Sequence, residues 1–312
     1  MKRFYGKFIV AILSLSVIIG CIDYMSMQET WRQIIAKWTN SEEYITVNVG
    51  SSEIIPYIEE LRVNNDTKAV ILGDSVCKQM FDGLQKYNPD FCMMGSNAAI
   101  AMSGQYILAV EYLNNHPTAT DMYLYVLPNS LLSTFDTGWG YQYTVMPFVL
   151  TDTINLLEAD TIKDMESVYG SKFMEKKVVE CIDKSALNRK IYLNLLAEHG
   201  TTYQQNSPFE LADKYIKKIY DLCNEKGVQL HLSPCPVVES RKEAMESLSK
   251  EYEKTWLYTV FPDYFHEILY YPDIEARDGV HFGGEYATQE QYNIKIKEMI
   301  AGKKLADELK FE

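Results

Sequence analysis

Two short stretches of the chain carry residue types that could do acid–base or acyl chemistry. The first is Gly73-Asp74-Ser75, which offers a serine hydroxyl, and the second is Asp278-Gly-Val-His281. The spacing in the second stretch lets a turn bring the carboxylate to one ring nitrogen of His281 and leave the other nitrogen free to take a proton. A histidine held in this way is a general base of fixed tautomer. By itself the pattern also fits an ordinary surface histidine in a loop.

The residues around Ser75 predict a strand, a tight turn and a helix, with Ser75 at the turn. Residues 69–72 (Ala-Val-Ile-Leu) are a continuous apolar run, as expected for a strand buried on both faces of a parallel sheet. Gly73 permits the sharp turn, and apolar residues then recur at helical spacing, at Val76, Met80, Phe81 and Leu84. This places a serine at the carboxyl end of a strand, beside helix N–H groups that could stabilise an oxyanion. The simpler interpretation is a turn with a helix N-cap.

The same arrangement occurs twice more, which predicts the fold class. Residues 90–94 read as a strand that ends at Gly95, and residues 121–127 read as a strand followed by Pro128-Asn129-Ser130. Three such units, with a later strand at residues 228–233, predict an α/β fold with a doubly wound parallel sheet flanked by helices. Residues 135–205 read as a segment with helices at 154–169, 173–182 and 186–197, either an insertion that caps the sheet or helices that cover one sheet face.

The N-terminus predicts attachment to a membrane. Lys2, Arg3 and Lys7 precede an apolar stretch at residues 8–22, a pattern that holds the basic end in the cytoplasm and the following chain outside. The segment is either an uncleaved anchor or a signal ending in Ile18-Ile19-Gly20-Cys21, which resembles a lipobox whose cysteine becomes lipidated. We therefore divide the chain into residues 1–22, a juxtamembrane lead-in at 23–66 with helices and a strand near 44–49, and an α/β domain at 67–312.

Composition excludes several classes of protein. The 312 residues are 47% hydrophobic and 12% aromatic, enough for one large core, and the net charge of -13 argues against nucleic-acid binding. No motif for a metal or a nucleotide stands out, so no cofactor and no metal is expected. The six cysteines contain no C-x-x-C pair, and Cys77 and Cys92 are expected either to be small buried hydrophobes or to form a disulfide.

Taken together, the motifs resemble the SGNH (GDSL-type) hydrolase superfamily, whose four blocks supply a serine, a glycine, an asparagine and a histidine. The match covers about residues 68–290, with the helical segment between the third and fourth blocks. Gly73-Asp-Ser-Val76 matches the first block, Gly95 the second, Asn129 the third and Asp278-Gly-Val-His281 the fourth. The third block departs from the usual Gly-x-Asn-Asp, since it is Leu-Pro-Asn-Ser here, and Asn97 competes with Asn129.

The resemblance implies a role for each matched residue. Ser75 would be the nucleophile, His281 the base and then the acid, and Asp278 the residue that orients the imidazole. The N–H groups of Ser75 and Gly95, with the side-chain amide of Asn129, would form the oxyanion hole.

The resemblance also implies a cellular location and a class of substrate. An N-terminal anchor with an outward domain is similar to the acyltransferases that O-acetylate exopolysaccharides or move D-alanine onto teichoic acids, often beside a multi-span membrane acyltransferase. The expected substrate is thus an acyl ester or a carbohydrate of the cell envelope. A degenerate member that only binds polysaccharide or scaffolds a membrane partner is the alternative. A set of aromatic residues would either stack on sugar rings or pack in the core: Trp139, Tyr141, Tyr143, Trp256, Tyr258, Tyr264, Tyr270 and Tyr271.

Overall fold

Four short apolar segments form one parallel sheet at the centre of the fold. They are β1 (Ala69–Gly73), β2 (Phe91–Gly95), β3 (Asp121–Val126) and β4 (Gln229–Pro234), in the spatial order β2-β1-β3-β4. The chain starts in the middle of the sheet, turns to β2 on one side and then crosses to β3 and β4 on the other. The strand order therefore reverses beside β1, which is where such sheets open a crevice at the carboxyl ends of their strands.

The structure is a computed structural model. It describes residues 2–26, 28–39, 49–63, 65–96, 100–136, 140–184, 186–199, 201–281 and 289–311. The predicted strand near residues 44–49 lies outside these ranges, apart from Val49, which begins a helix.

Alternate residues of β1, β2 and β3 enter two separate cores, one on each face of the sheet. Val70 and Leu72 of β1 pack into the larger core, and Ile71 packs into the smaller one, with Tyr123 and Tyr125 of β3. A strand whose side chains are buried on both faces lacks a polar alternation, which is why β1 is apolar throughout and β3 is apolar after Asp121. The prediction of a central parallel sheet flanked by helices is confirmed.

Helices cover both faces. Those of the larger core are α3 (Val49–Leu61), α5 (Met102–Asn115), α6 (Met146–Leu150), α7 (Ala159–Tyr169), α8 (Lys176–Lys184), α9 (Ala186–His199), α10 (Glu210–Lys226), α11 (Lys242–Tyr252) and α12 (Trp256–Val260). Those of the smaller core are α4 (Ser75–Phe81), α13 (Gln289–Ile300) and α14 (Lys304–Glu308). A two-stranded parallel sheet of β5 (Val237–Val238) and β6 (Tyr270–Tyr271) lies between the two cores.

The described residues between 140 and 199 are mainly helical, as predicted, although the first long helix begins at Ala159 and not at Ile154, where the apolar spacing predicts it. Asp152 has a left-handed backbone (φ 62°), and residues Thr153–Leu156 form a 3-10 turn, so that α7 begins only at Ala159. The buried residues of α7, α8 and α9 join the larger core, including Met165, Val179 and Tyr192. They cover the sheet face rather than forming a separate core.

Ahead of α3, two helices are described, α1 (Lys2–Ser26) and α2 (Glu29–Thr39). Within α1, the 18 residues Tyr5–Ile22 are apolar and long enough to cross a membrane. A signal sequence near an N-terminus has the same length and composition.

Candidate active site

Ser75 lies at the sharp turn between β1 and α4, as its sequence context predicts. β1 ends at Gly73, and Ser75 is the first residue of α4. A side chain at position 73 would clash, because a Cβ there would lie 2.0 Å from the carbonyl oxygen of Tyr125 and 2.5 Å from the Cβ of Cys77. Only glycine lets β3 and α4 approach the end of β1 this closely, and this approach fixes the direction in which Ser75 leaves the strand.

Asp74, between Gly73 and Ser75, is the N-cap of α4 and also binds the turn that follows β3. One carboxylate oxygen accepts hydrogen bonds from the N–H groups of Val76 (3.0 Å) and Cys77 (3.3 Å). The other accepts from the N–H of Leu127 and the hydroxyl of Ser130, both at 2.6 Å. The simpler interpretation of this motif as an N-cap is therefore confirmed. In addition, the carboxylate joins the turn after β1 to the turn after β3, a role that sequence spacing alone did not reveal.

His281 is held by a compact turn that starts at Arg277. The N–H of Arg277 donates to the carbonyl oxygen of His281 (2.8 Å), and Gly279 has the positive φ of 74° that this turn needs. The Tyr271 hydroxyl, from β6, donates to the carbonyl oxygen of Val280 (2.9 Å) and ties the turn to the small sheet.

The side chains of Asp278, His281 and Ser75 form a continuous row of hydrogen bonds, called the row below. The Nδ1 atom of His281 lies 2.9 Å from a carboxylate oxygen of Asp278, and its Nε2 lies 2.8 Å from the Oγ of Ser75. Ser75 and His281 are 206 positions apart in the chain. The structure thus brings together the three residues that the sequence singled out for catalysis, in the geometry of a nucleophile, a base and the group that orients the base.

The Asp278 carboxylate is stabilised in its ionised form. Its second oxygen accepts the backbone N–H groups of His281 (2.9 Å) and Val280 (3.1 Å). The N–H bond from His281 is the largest influence on this carboxyl, and together with the imidazole it lowers the pKa of Asp278 to about 2. An ionised Asp278 accepts a hydrogen bond from Nδ1–H, which leaves Nε2 of a neutral imidazole to accept the hydrogen bond of the Ser75 hydroxyl.

The structure shows where the three predicted oxyanion-hole residues lie, but not a common contact among them. Asp74 accepts hydrogen bonds from the N–H groups of Val76 and Cys77. The N–H of Ser75, the first residue of α4, is not used by this cap. Gly95 ends β2 in register with Gly73. Its lack of a side chain has a packing reason, because a Cβ would lie 2.4 Å from the backbone nitrogen of Lys78.

Asn129 is exposed, in the 3-10 turn Pro128–Leu132 that Asp74 holds through its neighbours Leu127 and Ser130. The competing candidate, Asn97, lies outside the described residues. Gly95 therefore ends the strand on one side of β1, and Asn129 lies on the turn after the strand on the other side. Their oxyanion role stays a prediction.

Ser75 opens onto a wide polar cleft of about 780 Å³. Besides the three residues of the row, its lining includes Lys78, Gln79, Asp82 and Arg277. Lys78 is paired with Glu53 at 2.7 Å. Sequence reasoning missed these lining residues, although two signals were available. Lys78 is one helical turn beyond Ser75, and Arg277 directly precedes Asp278.

The aromatic residues considered as sugar contacts are mainly structural. Tyr141, Tyr143, Tyr264 and Tyr271 are buried in the cores, which favours packing, whereas Tyr258 is exposed. Trp139 lies outside the described residues.

Cys77 and Cys92 are both buried free thiols, so the disulfide considered from the sequence is not formed. Burial raises the pKa of Cys77 well above its ordinary value and that of Cys92 to about 11. Across the described ranges of the chain, no three His, Cys, Asp or Glu side chains come together as a metal site.

No protein-family model matches the chain, and no curated protein sequence matches it. What supports a function is thus the geometry of the site itself.

Proposed function

We propose that this chain is a membrane-tethered, extracytoplasmic serine esterase or O-acyltransferase of the SGNH type, acting on cell-envelope or exported polysaccharide. One observation carries the proposal: Asp278, His281 and Ser75 form one row with two contacts below 3 Å, although the serine is 206 residues from the histidine. The row lies at the carboxyl ends of the strands, beside the reversal of strand order, where α/β sheets place their ligands.

The reaction follows from the row. The Ser75 oxygen attacks the ester carbonyl carbon while its proton passes to Nε2 of His281. The ester C–O bond then breaks, and His281 returns the proton to the leaving alcohol. A second hydroxyl, of water or of a sugar, reverses these steps and releases Ser75. Water completes hydrolysis and a sugar completes acyl transfer, so the same residues serve both outcomes.

The N-terminal segment supports the cellular setting. Lys2, Arg3 and Lys7 precede the apolar stretch of α1, an asymmetry that retains the N-terminus in the cytoplasm and exports the α/β domain. A domain tethered outside the membrane meets envelope glycans, and the acyl donor would come from a multi-span membrane acyltransferase. The wide polar cleft beside Ser75 suits a hydroxyl-rich acceptor.

The second candidate is a degenerate SGNH-type protein that binds polysaccharide or scaffolds a membrane acyltransferase. It is favoured by the third block, where Ser130 stands in place of the usual Asp. Against it, the Ser130 hydroxyl is used to hold the turn that carries Asn129, through its bond to Asp74. The intact contact between Ser75 and His281 also favours catalysis.

A serine-directed fluorophosphonate distinguishes the two. The whole chain, purified in detergent, is incubated with the probe and its intact mass is measured, beside the variants Ser75→Ala and Ser247→Ala. Ser247 is an exposed serine of α11 and serves as the matched control. An activated Ser75 gives one adduct that Ser75→Ala loses and Ser247→Ala keeps. A folded protein that gives no adduct, or one that Ser75→Ala retains, would favour the binding or scaffolding role.

A further inference from the structure

A short amphipathic helix, α2, follows the apolar helix α1 after a tight turn. α1 ends at Ser26 and α2 begins at Glu29, and within the turn the N–H of Gln28 donates to the carbonyl oxygen of Met25 (3.0 Å). We infer that α2 lies in the headgroup region of the membrane and holds the α/β domain close to the lipid surface, in addition to the anchor itself. This inference does not depend on the chemistry at Ser75.

Chain geometry places α2 at the level of the lipid headgroups. The apolar stretch Tyr5–Ile22 is followed by residues 23–26 of the same helix, which extend it by about 6 Å at a rise of about 1.5 Å per residue. The headgroup region on each side of the hydrocarbon core is about 5–8 Å thick. If Cys21 is instead lipidated, its acyl chains enter the bilayer less than ten residues before Glu29. With either kind of anchor, α2 begins next to the membrane surface.

The side chains of α2 suit a boundary between lipid and water. Trp31, Ile34 and Trp38 recur at the spacing of one helix face, and Gln33 and Lys37 lie away from its centre. Trp31 and Trp38 are 42% and 81% exposed. Tryptophan is enriched at membrane interfaces, because its ring is apolar and its N–H still finds a polar partner there. A helix of this kind lies in the plane of the interface, with its apolar face between the headgroups and the acyl chains.

A second helix presents apolar side chains beside the same anchor. α9 contacts α1, and its Tyr192 and Leu196 pack into the larger core of the α/β domain. Ile191 and Leu195 of α9 are nevertheless 49% and 46% exposed. A helix that packs on a core normally has polar residues on its outer face. This exposed apolar pair therefore extends the lipid-facing surface from α2 to the α/β domain.

The charge of the chain indicates how α2 would be held. The net charge of -13 opposes attraction of the protein to anionic headgroups. Between residues 23 and 39 the two acidic residues, Asp23 and Glu29, balance the two basic residues, Arg32 and Lys37. The contact thus depends on burial of apolar side chains, which salt does not screen.

A helix fixed at the surface limits how far the active-site cleft can lie from the membrane. Thr39 ends α2 and Val49 begins α3, and the chain between them can span at most about 35 Å. Glu53 of α3 pairs with Lys78 of α4 at 2.7 Å, and Lys78 lines the cleft at Ser75. The cleft is therefore kept within reach of molecules that emerge at the membrane surface.

The test is quenching of tryptophan fluorescence by brominated lipids, because bromine quenches only the rings that lie close to it. The whole chain is placed in nanodiscs of unbrominated lipid, of lipid brominated on the upper part of the acyl chains, or of lipid brominated near the chain ends. The double variant Trp139→Phe, Trp256→Phe keeps Trp31 and Trp38 as its reporters, and the matched control Trp31→Phe, Trp38→Phe keeps the other two.

We expect the reporters on α2 to lose about half or more of their emission with the upper bromine, and less with the lower bromine. The control, whose tryptophans belong to the α/β domain, should lose about a tenth or less with either lipid. The quenching of the α2 reporters should also persist at about 0.5 M salt, since it does not depend on charge.

Equal quenching of the two double variants would overturn the inference and leave a membrane protein, rather than lipid, as the partner of this helix face. Stronger quenching by the lower bromine would also overturn it, because α2 would then lie inside the hydrocarbon core. If one double variant does not fold, the difference in quenching between the wild type and the other variant gives the same answer. None of these measurements requires a reaction at Ser75, so this inference and the proposed function can fail separately.

Discussion

The buried carboxylate of Asp74 accepts a hydrogen bond of 2.6 Å from the hydroxyl of Ser130, which joins the turn after β1 to the turn after β3. Asp74 is 5% exposed, and its same oxygen also accepts the N–H of Leu127. The two turns carry the proposed nucleophile Ser75 and the predicted oxyanion residue Asn129. Their relative position therefore depends on one side chain that itself takes no part in the reaction.

Substitutions at the two ends of this link are expected to lower the free energy of unfolding by different amounts. Asp74→Ala loses a helix cap and leaves the partly buried donors of Leu127 and Ser130 without this acceptor, for a total of about 3 kcal/mol. Ser130→Ala removes one bond and is expected to cost about 1–2 kcal/mol. Thermal unfolding of the purified chain measures both, with Ser247→Ala as the reference. Equal melting temperatures for Ser130→Ala and the wild type would show that this bond contributes nothing.

Asp278→Asn tests the orientation of the imidazole. An asparagine can donate its side-chain N–H to Nδ1, which favours the tautomer with the proton on Nε2. The rate of the initial burst of p-nitrophenol released from p-nitrophenyl acetate is therefore expected to fall by about 100-fold to 10,000-fold. The fold should persist, because the carboxylate is largely exposed. A variant that keeps the wild-type burst rate would remove Asp278 from the mechanism.

The lowered pKa of Asp278 also predicts a pH dependence of stability. A carboxyl whose pKa falls to about 2 on folding stabilises the folded state above its unfolded pKa, near 4, and this contribution is lost as the pH falls towards 2. The difference in melting temperature between the wild type and Asp278→Asn should thus stay constant from pH 8 to pH 5. It should shrink only below about pH 4. A difference that already shrinks between pH 7 and pH 5 would contradict the assignment.

Two glycines are required for different reasons, and their alanine variants should differ accordingly. At Gly95 a Cβ would meet the backbone of Lys78, which cannot move without α4, so Gly95→Ala is expected to cost about 3 kcal/mol. At Gly227, φ is 72° and the space is open, so Gly227→Ala incurs only the left-handed backbone cost of about 1 kcal/mol. Because α4 begins at Ser75, Gly95→Ala should also slow the ester burst. Gly227→Ala, remote from α4, should leave it unchanged.

Cysteine reactivity should follow burial. Cys77 and Cys92 are buried free thiols with raised pKa values, whereas Cys181 is exposed. Iodoacetamide at pH 8 is expected to alkylate Cys181 in the native protein and to reach Cys77 and Cys92 only after denaturation. Peptide mass mapping shows which of these cysteines carry the added mass. A mass two units low for a Cys77–Cys92 peptide pair would instead show a disulfide.

The local structure around Ser75 could be predicted from the sequence because it depends on residues close by in the chain. The apolar run before Gly73 and the helical spacing after Ser75 were enough to place strand, turn and helix, since these patterns depend on contacts within a few residues. The spacing of Asp278 and His281 likewise predicted their contact, because a short turn closes it. The same local logic put the start of α7 too early, since the left-handed Asp152 and the 3-10 turn after it leave the apolar spacing unchanged.

Only the tertiary structure decided what lies beside these local units. The contact of His281 with Ser75 requires the return of the chain, after 206 residues, to the carboxyl ends of the strands. The bond from Ser130 to Asp74 exists because β1 and β3 are neighbours in the sheet, and strand order follows from packing on both faces rather than from any spacing along the chain. The small pocket lined by Val237, Met245 and Val280 has the same origin, since β5, α11 and the His281 turn meet there from distant parts of the sequence.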